Sequence, residues 1–247
     1  MVALVLLPGM HGTGDLFDRF ISSLEIDIRP IVVGYPVDKP LSYDELEEFV
    51  RARLPVDEPY LLLGESFSGP VAIALAASRP RGLCGLILCA SFARNPVPAL
   101  WPLKFFSSMV PVRPHMMWMT APLLLGHDYS SKTRDTLRKI LERVSPAVLR
   151  ARMQSVLEID CTDQLLEVRV PILYMQAQHD HVVPSSAMRT IVELVPSVQV
   201  VSLNGPHMLL QAVPANAAAV VNQFVRDTAG KADAPVDIGP GNLKRHG

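Results

Sequence analysis

Neither sign of charge is in excess in this chain. Its 247 residues carry 23 Lys and Arg against 24 Asp and Glu, a formal net charge of −1 with histidine neutral. No long basic run appears, so the electrostatic footprint that a phosphate backbone demands is missing and nucleic-acid partners are excluded. Cysteine is scarce and odd in number (Cys84, Cys89 and Cys161), with no C-x-x-C pair. That excludes a disulfide framework and favours reduced thiols in the core. Cys84 and Cys89 lie in or beside an apolar run rather than in a nucleophile-type turn, which argues against a catalytic cysteine. Apolar runs long enough for a bilayer are also lacking: the stretch from Met116 to Leu125 is short and broken by Pro122, so no stable membrane insertion is expected. The opening run Val2 to Leu7 has neither a basic leading region nor a small-residue cleavage site. It reads as a buried strand rather than an export signal, and a cytoplasmic protein is the expectation. Internal repeats are absent.

What the chain has is apolar residues. They make up 49% of it against 19% charged, enough for one large globular core with a small insertion. Runs rich in Val, Ile and Leu fall near 2–7, 28–35, 60–63, 85–90, 170–176 and 198–203. They are apolar on consecutive positions, as strands are when both faces of a parallel sheet are covered. Amphipathic stretches near 43–53, 66–78, 186–195 and 214–227 alternate with them. The β-α-β-α order predicts a doubly wound α/β fold with a mostly parallel sheet of about six strands. From Phe92 to Leu157 no strand is legible. The first part is rich in Pro, Met and aromatics and the second, from 132, is helical and charged. Residues 92–157 are therefore expected to form a helical cap insertion over the carboxyl ends of the strands, leaving 1–91 and 158–228 as the core. Within that insertion Trp101, Met116, Trp118 and Met119 are pocket candidates. Residues 229–247, without periodicity, are expected to be a disordered tail.

The chemistry-bearing signal begins at residues 60–69. The strand from Tyr60 to Leu63 runs into Gly64-Glu65-Ser66-Phe67-Ser68-Gly69, and a small-residue helix follows. This is a variant of G-x-S-x-G in the strand–turn–helix setting that a nucleophile elbow requires. The turn is tight enough that residues two positions from the central serine must be small. Gly64 and Ser68 meet that demand, although Gly is usual at 68. Ser66 is the candidate nucleophile, and the Phe67 N–H at the helix start is a candidate oxyanion donor. Glu65 reads as exposed or supporting, with no acid–base role. The first strand ends in Pro8-Gly9-Met10-His11-Gly12-Thr13-Gly14, a Gly-rich loop able to give a second oxyanion N–H. Met10 is preferred and Thr13 is the alternative, while His11 is a further pocket candidate. Neither G-x-G-x-x-G nor G-x-x-x-x-G-K-[ST] occurs, which excludes a dinucleotide or phosphate loop.

Of seven histidines, His207 sits after the last strand and before the final helix, at the carboxyl edge of the sheet where ligands bind. Asp180 follows the preceding strand, from where a carboxylate reaches the far nitrogen of that imidazole. Asp160 and Asp163 precede the strand and are poorer candidates. His179-Asp180-His181 lacks further ligands at metal-binding spacing, so no metal is expected. Together, the elbow at 64–69, the Asp180-His181-Val182-Val183-Pro184 segment and Gly205-Pro206-His207 resemble the α/β-hydrolase superfamily over roughly residues 1–228, in the manner of bacterial esterase- or thioesterase-like serine hydrolases. Gln178, two before the acid, and Pro8-Gly9 in the oxyanion loop depart from the usual family residues. The resemblance implies cleavage of esters or thioesters by an acyl-enzyme route with no cofactor, and small-molecule substrates. The expectation is a carboxylic-ester hydrolase with an apolar acyl or aromatic group. A thioesterase, a C–C hydrolase or lyase, and a non-enzymatic ligand-binding scaffold are the alternatives. Oligomeric state is not legible.

Overall fold

The structure, a computed structural model, describes residues 1–99, 121–126 and 131–232. Six strands form one sheet: β1 (Val2–Leu7), β2 (Ile28–Val32), β3 (Tyr60–Glu65), β4 (Leu83–Cys89), β5 (Ile172–His179) and β6 (Gln199–Pro206). Every pairing is parallel, in the order β2-β1-β3-β4-β5-β6. The chain therefore goes outward to β2 and then returns across β1 to build the rest. The order reverses beside β1 and β3, and loops after those two strands meet there.

Alternation along each strand divides the core into two layers. Ala3, Val5 and Leu7 of β1, Tyr60 and Leu62 of β3, Leu86 and Leu88 of β4, and Ile172 and Tyr174 of β5 face one way. On that side they meet α2 (Tyr43–Arg51), α3 (Gly69–Ala77), α7 (Thr162–Glu167) and α8 (Ser185–Leu194), through Leu46, Val71, Leu75, Leu165 and Ile191. Leu4, Leu6, Leu61, Leu63, Ile87, Leu173 and Met175 face the other way, against α1 (Asp18–Ile21), α9 (Leu209–Ala212) and α10 (Pro214–Ala232). Both parities are apolar because both faces are covered, which is why the strands read as continuous apolar runs. Pro30 sits in β2, where an edge strand tolerates a missing N–H.

Local signals fix several element ends. Ser42 and Glu45 form a reciprocal capping box at the start of α2. α3 is apolar nearly all round, since the sheet covers one side and α2 and α7 flank it. Some expected bounds move. The run expected over 28–35 is strand only to Val32; Val33 N still donates to Leu6 O, but Tyr35 N turns to Gly12 O at 2.7 Å. The helix expected at 66–78 opens as a 3-10 turn over Ser66–Ser68 before α3. α10 runs on to Ala232, four residues into the stretch expected as tail.

Between β4 and β5, among the described residues, come α4 (Ala121–Leu125), α5 (Ser131–Arg143) and α6 (Pro146–Glu158), followed by α7. The two ends of this segment are fastened together. Cys161 N donates to Ala93 O, Asn95 N donates to Ile159 O, and Arg94 and Asp160 form an antiparallel bridge. Trp101, Met116, Trp118 and Met119 lie outside the described residues. All three cysteines are unpaired; Cys89 and Cys161 are buried and Cys84 partly so. Among the described residues no helix is long and apolar enough to cross a membrane.

Leu62, fully buried at the centre of the sheet, is the position where truncation leaves a cavity least able to collapse. Leu62→Ala is expected to lose about 2–5 kcal/mol of stability. Urea unfolding checks this, with the midpoint falling and the slope unchanged.

Candidate active site

β3 ends inside the protein and the chain must turn at once into a helix. Ser66 makes the turn with φ at 49°, the left-handed region that a residue with a Cβ enters only under constraint. Close packing supplies the constraint. A Cβ on Gly64 would stand 2.7 Å from Ser68 O and 2.9 Å from the Ala72 Cβ, and one on Gly69 would overlap the Ser91 side chain. The Ser91 hydroxyl in turn donates to Ser66 O at 2.6 Å. The position that strictly demands glycine after the serine is therefore 69, which explains why 68 is free to be Ser.

Ser66 Oγ lies 2.8 Å from His207 Nε2, and His207 Nδ1 lies 2.8 Å from Asp180 Oδ2. The other carboxylate oxygen, Oδ1, accepts the Val182 and Val183 N–H groups at 2.8 Å each. Three residues from three loops thus form one hydrogen-bonded chain, and the two backbone donors hold the carboxylate that orients the ring. The His207 and Asp180 side chains are almost fully buried. Asp160, the poorer candidate, bonds instead to Thr162 at the start of α7.

The loop after β1 is held carbonyl by carbonyl. Pro8 O accepts the Ser68 hydroxyl, Gly9 O accepts Gly12 N at 2.9 Å, and Gly12 O accepts Tyr35 N at 2.7 Å. Met10 O accepts from Arg152 Nη1 at 2.8 Å, and Pro36 O from Nη2 at 2.9 Å. With Gly9 O turned to Gly12, the trans peptide points the Met10 N–H the opposite way. Thr13 N donates to His11 Nδ1 at 3.2 Å, so the alternative oxyanion donor is already engaged.

Three residues carry more than the sequence suggests. Ser68, read as a small stand-in for glycine, is fully buried, and its hydroxyl meets both Pro8 O and the Tyr35 hydroxyl, tying the elbow to the loop. Arg152 is 2% exposed, its partners are the two loop carbonyls, and its guanidinium lies over the Tyr35 and Phe67 rings at 5.6 and 6.0 Å. Burial pushes its pKa down to about 10. Nothing in the spacing of α6 marks it apart from Arg150. Glu65, expected to be exposed or supporting, is 2% exposed, and burial raises its pKa. It follows a central strand and stands next to Ser66, so neighbouring elements cover it on every side but the cavity.

A cavity of about 310 Å³ opens onto Ser66. Gly9, Met10, His11, Glu65, His181 and His207 line it, and Leu123, Leu124, Leu137, Leu141, Val182 and Met208 make the rest of its wall apolar. His11 is thus in the pocket as expected. Burial, then the Arg152 charge, lower its pKa to about 4, with Asp15 opposing.

The pinned loop yields two measurable outcomes. Ser68→Ala leaves the Tyr35 hydroxyl and Pro8 O without their shared partner, at an expected cost of about 1–3 kcal/mol. In urea unfolding, the double variant with Tyr35→Phe is expected to lose less than the sum of the single losses. His11 titrates near 6.5 when unfolded and near 4 when folded, so the unfolded chain binds the extra proton between those values. Its contribution is fully present above pH 6.5 and is lost as pH falls toward 4. His11→Gln is expected to flatten the stability–pH curve in that window by on the order of 2–3 kcal/mol, read by urea unfolding at each pH.

Comparison with known proteins places this geometry in a family. The family model described as "Serine aminopeptidase, S33" matches residues 42–210. A pimeloyl-[acyl-carrier protein] methyl ester esterase of Aeromonas hydrophila is 31% identical over 222 residues, 81% of this chain and 85% of that one. Its counterpart in Aeromonas salmonicida is 30% identical, covering 90% and 94%. Among solved structures, the enol-lactonase of Burkholderia xenovorans superposes with a TM-score of 0.75 at 16% identity, covering 92% and 91% of the two chains. A Rhodococcus esterase does so at 0.75 and 21%, with the same coverage. These two share the fold. The family match spans well over half of the chain, and the protein belongs to the serine aminopeptidase S33 family of α/β hydrolases.

Proposed function

We propose that this chain is a serine esterase that cleaves carboxylic esters carrying an apolar acyl or aromatic group, through an acyl-enzyme intermediate. The observation that carries the proposal is the unbroken chain from Ser66 Oγ through His207 to Asp180, opening onto a cavity lined mostly by aliphatic side chains. The curated relatives act on a methyl ester of an acyl group, which agrees with an aliphatic pocket.

In the first half-reaction Ser66 Oγ attacks the acyl carbon while His207 Nε2 takes its proton. Asp180 keeps the Nδ1 proton in place and stabilises the imidazolium. The carbonyl oxygen becomes an oxyanion held by the N–H groups of Met10 and Phe67, the latter at the opening of a helical turn whose dipole favours negative charge. Collapse of the tetrahedral intermediate breaks the bond to the alkoxy group, which leaves as the alcohol with the proton from His207. Water then repeats the sequence: His207 takes its proton, hydroxide adds to the acyl carbon, and Ser66 Oγ departs with that proton. Leu123, Leu124, Leu137 and Leu141 of α4 and α5 line the cavity and serve as a cap that excludes water from the acyl-enzyme.

Ser66→Ala is expected to lower kcat on p-nitrophenyl butyrate by at least about 10³-fold, and Asp180→Asn by about 10²–10⁴-fold, with KM little changed in both. Steady-state kinetics with thermal melts beside them check this. Full activity in Ser66→Ala sinks the proposal.

A further inference from the structure

The triad leaves two buried polar groups in its own cavity unused. His11 Nε2 and both carboxyl oxygens of Glu65 are shielded from solvent and have no well-aligned hydrogen-bond partner among the described residues. Both residues line the Ser66 cavity. Because Thr13 N–H donates to Nδ1 of His11, the ring proton sits on Nε2, which makes that atom a donor. Glu65 takes only long or bent hydrogen bonds from the Gln211 side chain and the Gly9 N–H, and Gln211 Nε2 and Oε1 have no better partner, so the carboxyl keeps bonding capacity to spare. Unpaired groups of this kind cost about 1–3 kcal/mol each, and two of them side by side in a pocket suggest an occupant that pairs them.

Their placement says where that occupant sits. The spot where a Cβ on Gly9 would stand is 3.8 Å from each of three atoms: Glu65 Oε2, His11 Nε2 and the Ser66 Cβ. A substrate atom resting against the bare Gly9 Cα faces all three, and the absence of a side chain at residue 9 keeps that approach clear. We propose that His11, Glu65 and the clearing at Gly9 form a polar subsite for an uncharged hydroxyl or oxo group on the substrate, within about two bonds of the scissile carbonyl. This rests on the esterase function proposed above and narrows its substrate class to oxygenated acyl esters.

The chemistry of the pair selects an uncharged group. Burial favours the neutral form of both side chains, raising Glu65 and lowering His11. A neutral carboxyl gives one donor and one acceptor, and the imidazole gives one donor, which together match the lone pairs and proton of a hydroxyl. A substrate carboxylate there would find no cation to pair with: Arg152 is turned to Met10 O and Pro36 O. Apart from His181 and His207, the remaining wall of the cavity is Leu, Val and Met, so the rest of the acyl chain is apolar.

The test compares methyl 2-hydroxyhexanoate and methyl 3-hydroxyhexanoate with methyl hexanoate. The wild type is expected to prefer at least one hydroxy ester by about 10–100-fold in kcat/KM. In Glu65→Leu and in His11→Phe the preference is expected to fall to the ratio that alkaline hydrolysis gives for the same esters. Glu65→Gln keeps one donor set and one acceptor and is expected to hold the preference within about threefold. Gly9→Ala, which leaves both polar groups but fills the clearing, is expected to abolish it. Circular dichroism establishes that each variant is folded. A wild-type preference no larger than the alkaline ratio overturns the subsite, as does a preference that survives both Glu65→Leu and His11→Phe. Should the wild type hydrolyse none of the three, the esterase function fails, and the subsite is judged on Ser66→Ala by calorimetry: tighter Kd for a hydroxy ester supports it, and equal Kd values overturn it.

Discussion

The site depends on one strained residue. Ser66 holds φ at 49°, at a cost of about 1–2 kcal/mol. That conformation lifts Oγ clear of the sheet and aims it at His207. The strain persists because relaxation is blocked on every side: Gly64 abuts Ser68 and Ala72, Gly69 abuts Ser91, and Ser91 holds the Ser66 carbonyl. Ala90, just before Ser91, is itself left-handed at φ 47°, and the Ser91 carbonyl is held by the Tyr174 hydroxyl at 2.7 Å. The ends of β3 and β4 and the Tyr174 side chain of β5 are thus linked in series, and the two buried layers of the sheet supply the stability against which the strain is held.

The second feature is the way the loop after β1 is fixed. A loop carries backbone polar groups that no ladder satisfies. Here nearly every carbonyl from Pro8 to Gly12 has a named partner, and three of the donors come from distant segments: Ser68, Tyr35 and Arg152. Arg152 shows how such a contact is reconciled with burial. Its charge has no carboxylate partner among the described residues, but two carbonyls and two aromatic faces take its place. The guanidinium also reads the loop's shape, since a Cβ at Gly12, where φ is +75°, would collide with it. A residue from α6, on the segment inserted between β4 and β5, therefore sets the loop that faces the nucleophile.

Much of the fold was legible because two-sided burial leaves a plain mark: strands such as Leu61–Leu63 or Leu86–Leu88 are apolar on every position. The meeting of Ser66, His207 and Asp180 was legible because each follows a strand and precedes a helix. Short elements were not. α1, α7 and α9 have four to six residues, too few to display a helical period. Ser68 was legible only as a small residue, because steric tolerance and hydrogen bonding look alike in a sequence. Glu65 was misjudged by type: a glutamate suggests solvent, and only its position between a central strand and the nucleophile buries it. Arg152 shares α6 with Arg150, and no local pattern tells the inward arginine from its neighbour.

The charges around the nucleophile also obey one constraint. The proposed reaction would create an anion on the acyl oxygen and a cation on His207. Asp180 answers the cation at 2.8 Å. A second carboxylate facing the anion would oppose it: at about 6 Å and an effective dielectric of about 20, two like charges repel by roughly 3 kcal/mol. Glu65 stands in that neighbourhood, and burial raises its pKa toward the neutral form, which removes the repulsion while leaving a hydrogen-bonding group behind. Arg152 lies behind the Met10 carbonyl, where its positive charge adds to burial in keeping His11 neutral and would favour the proposed oxyanion. A negative group beside His207, neutral polar groups under Ser66 and a buried cation behind the oxyanion loop therefore form a single gradient. Its direction is the one along which charge separates when the serine attacks.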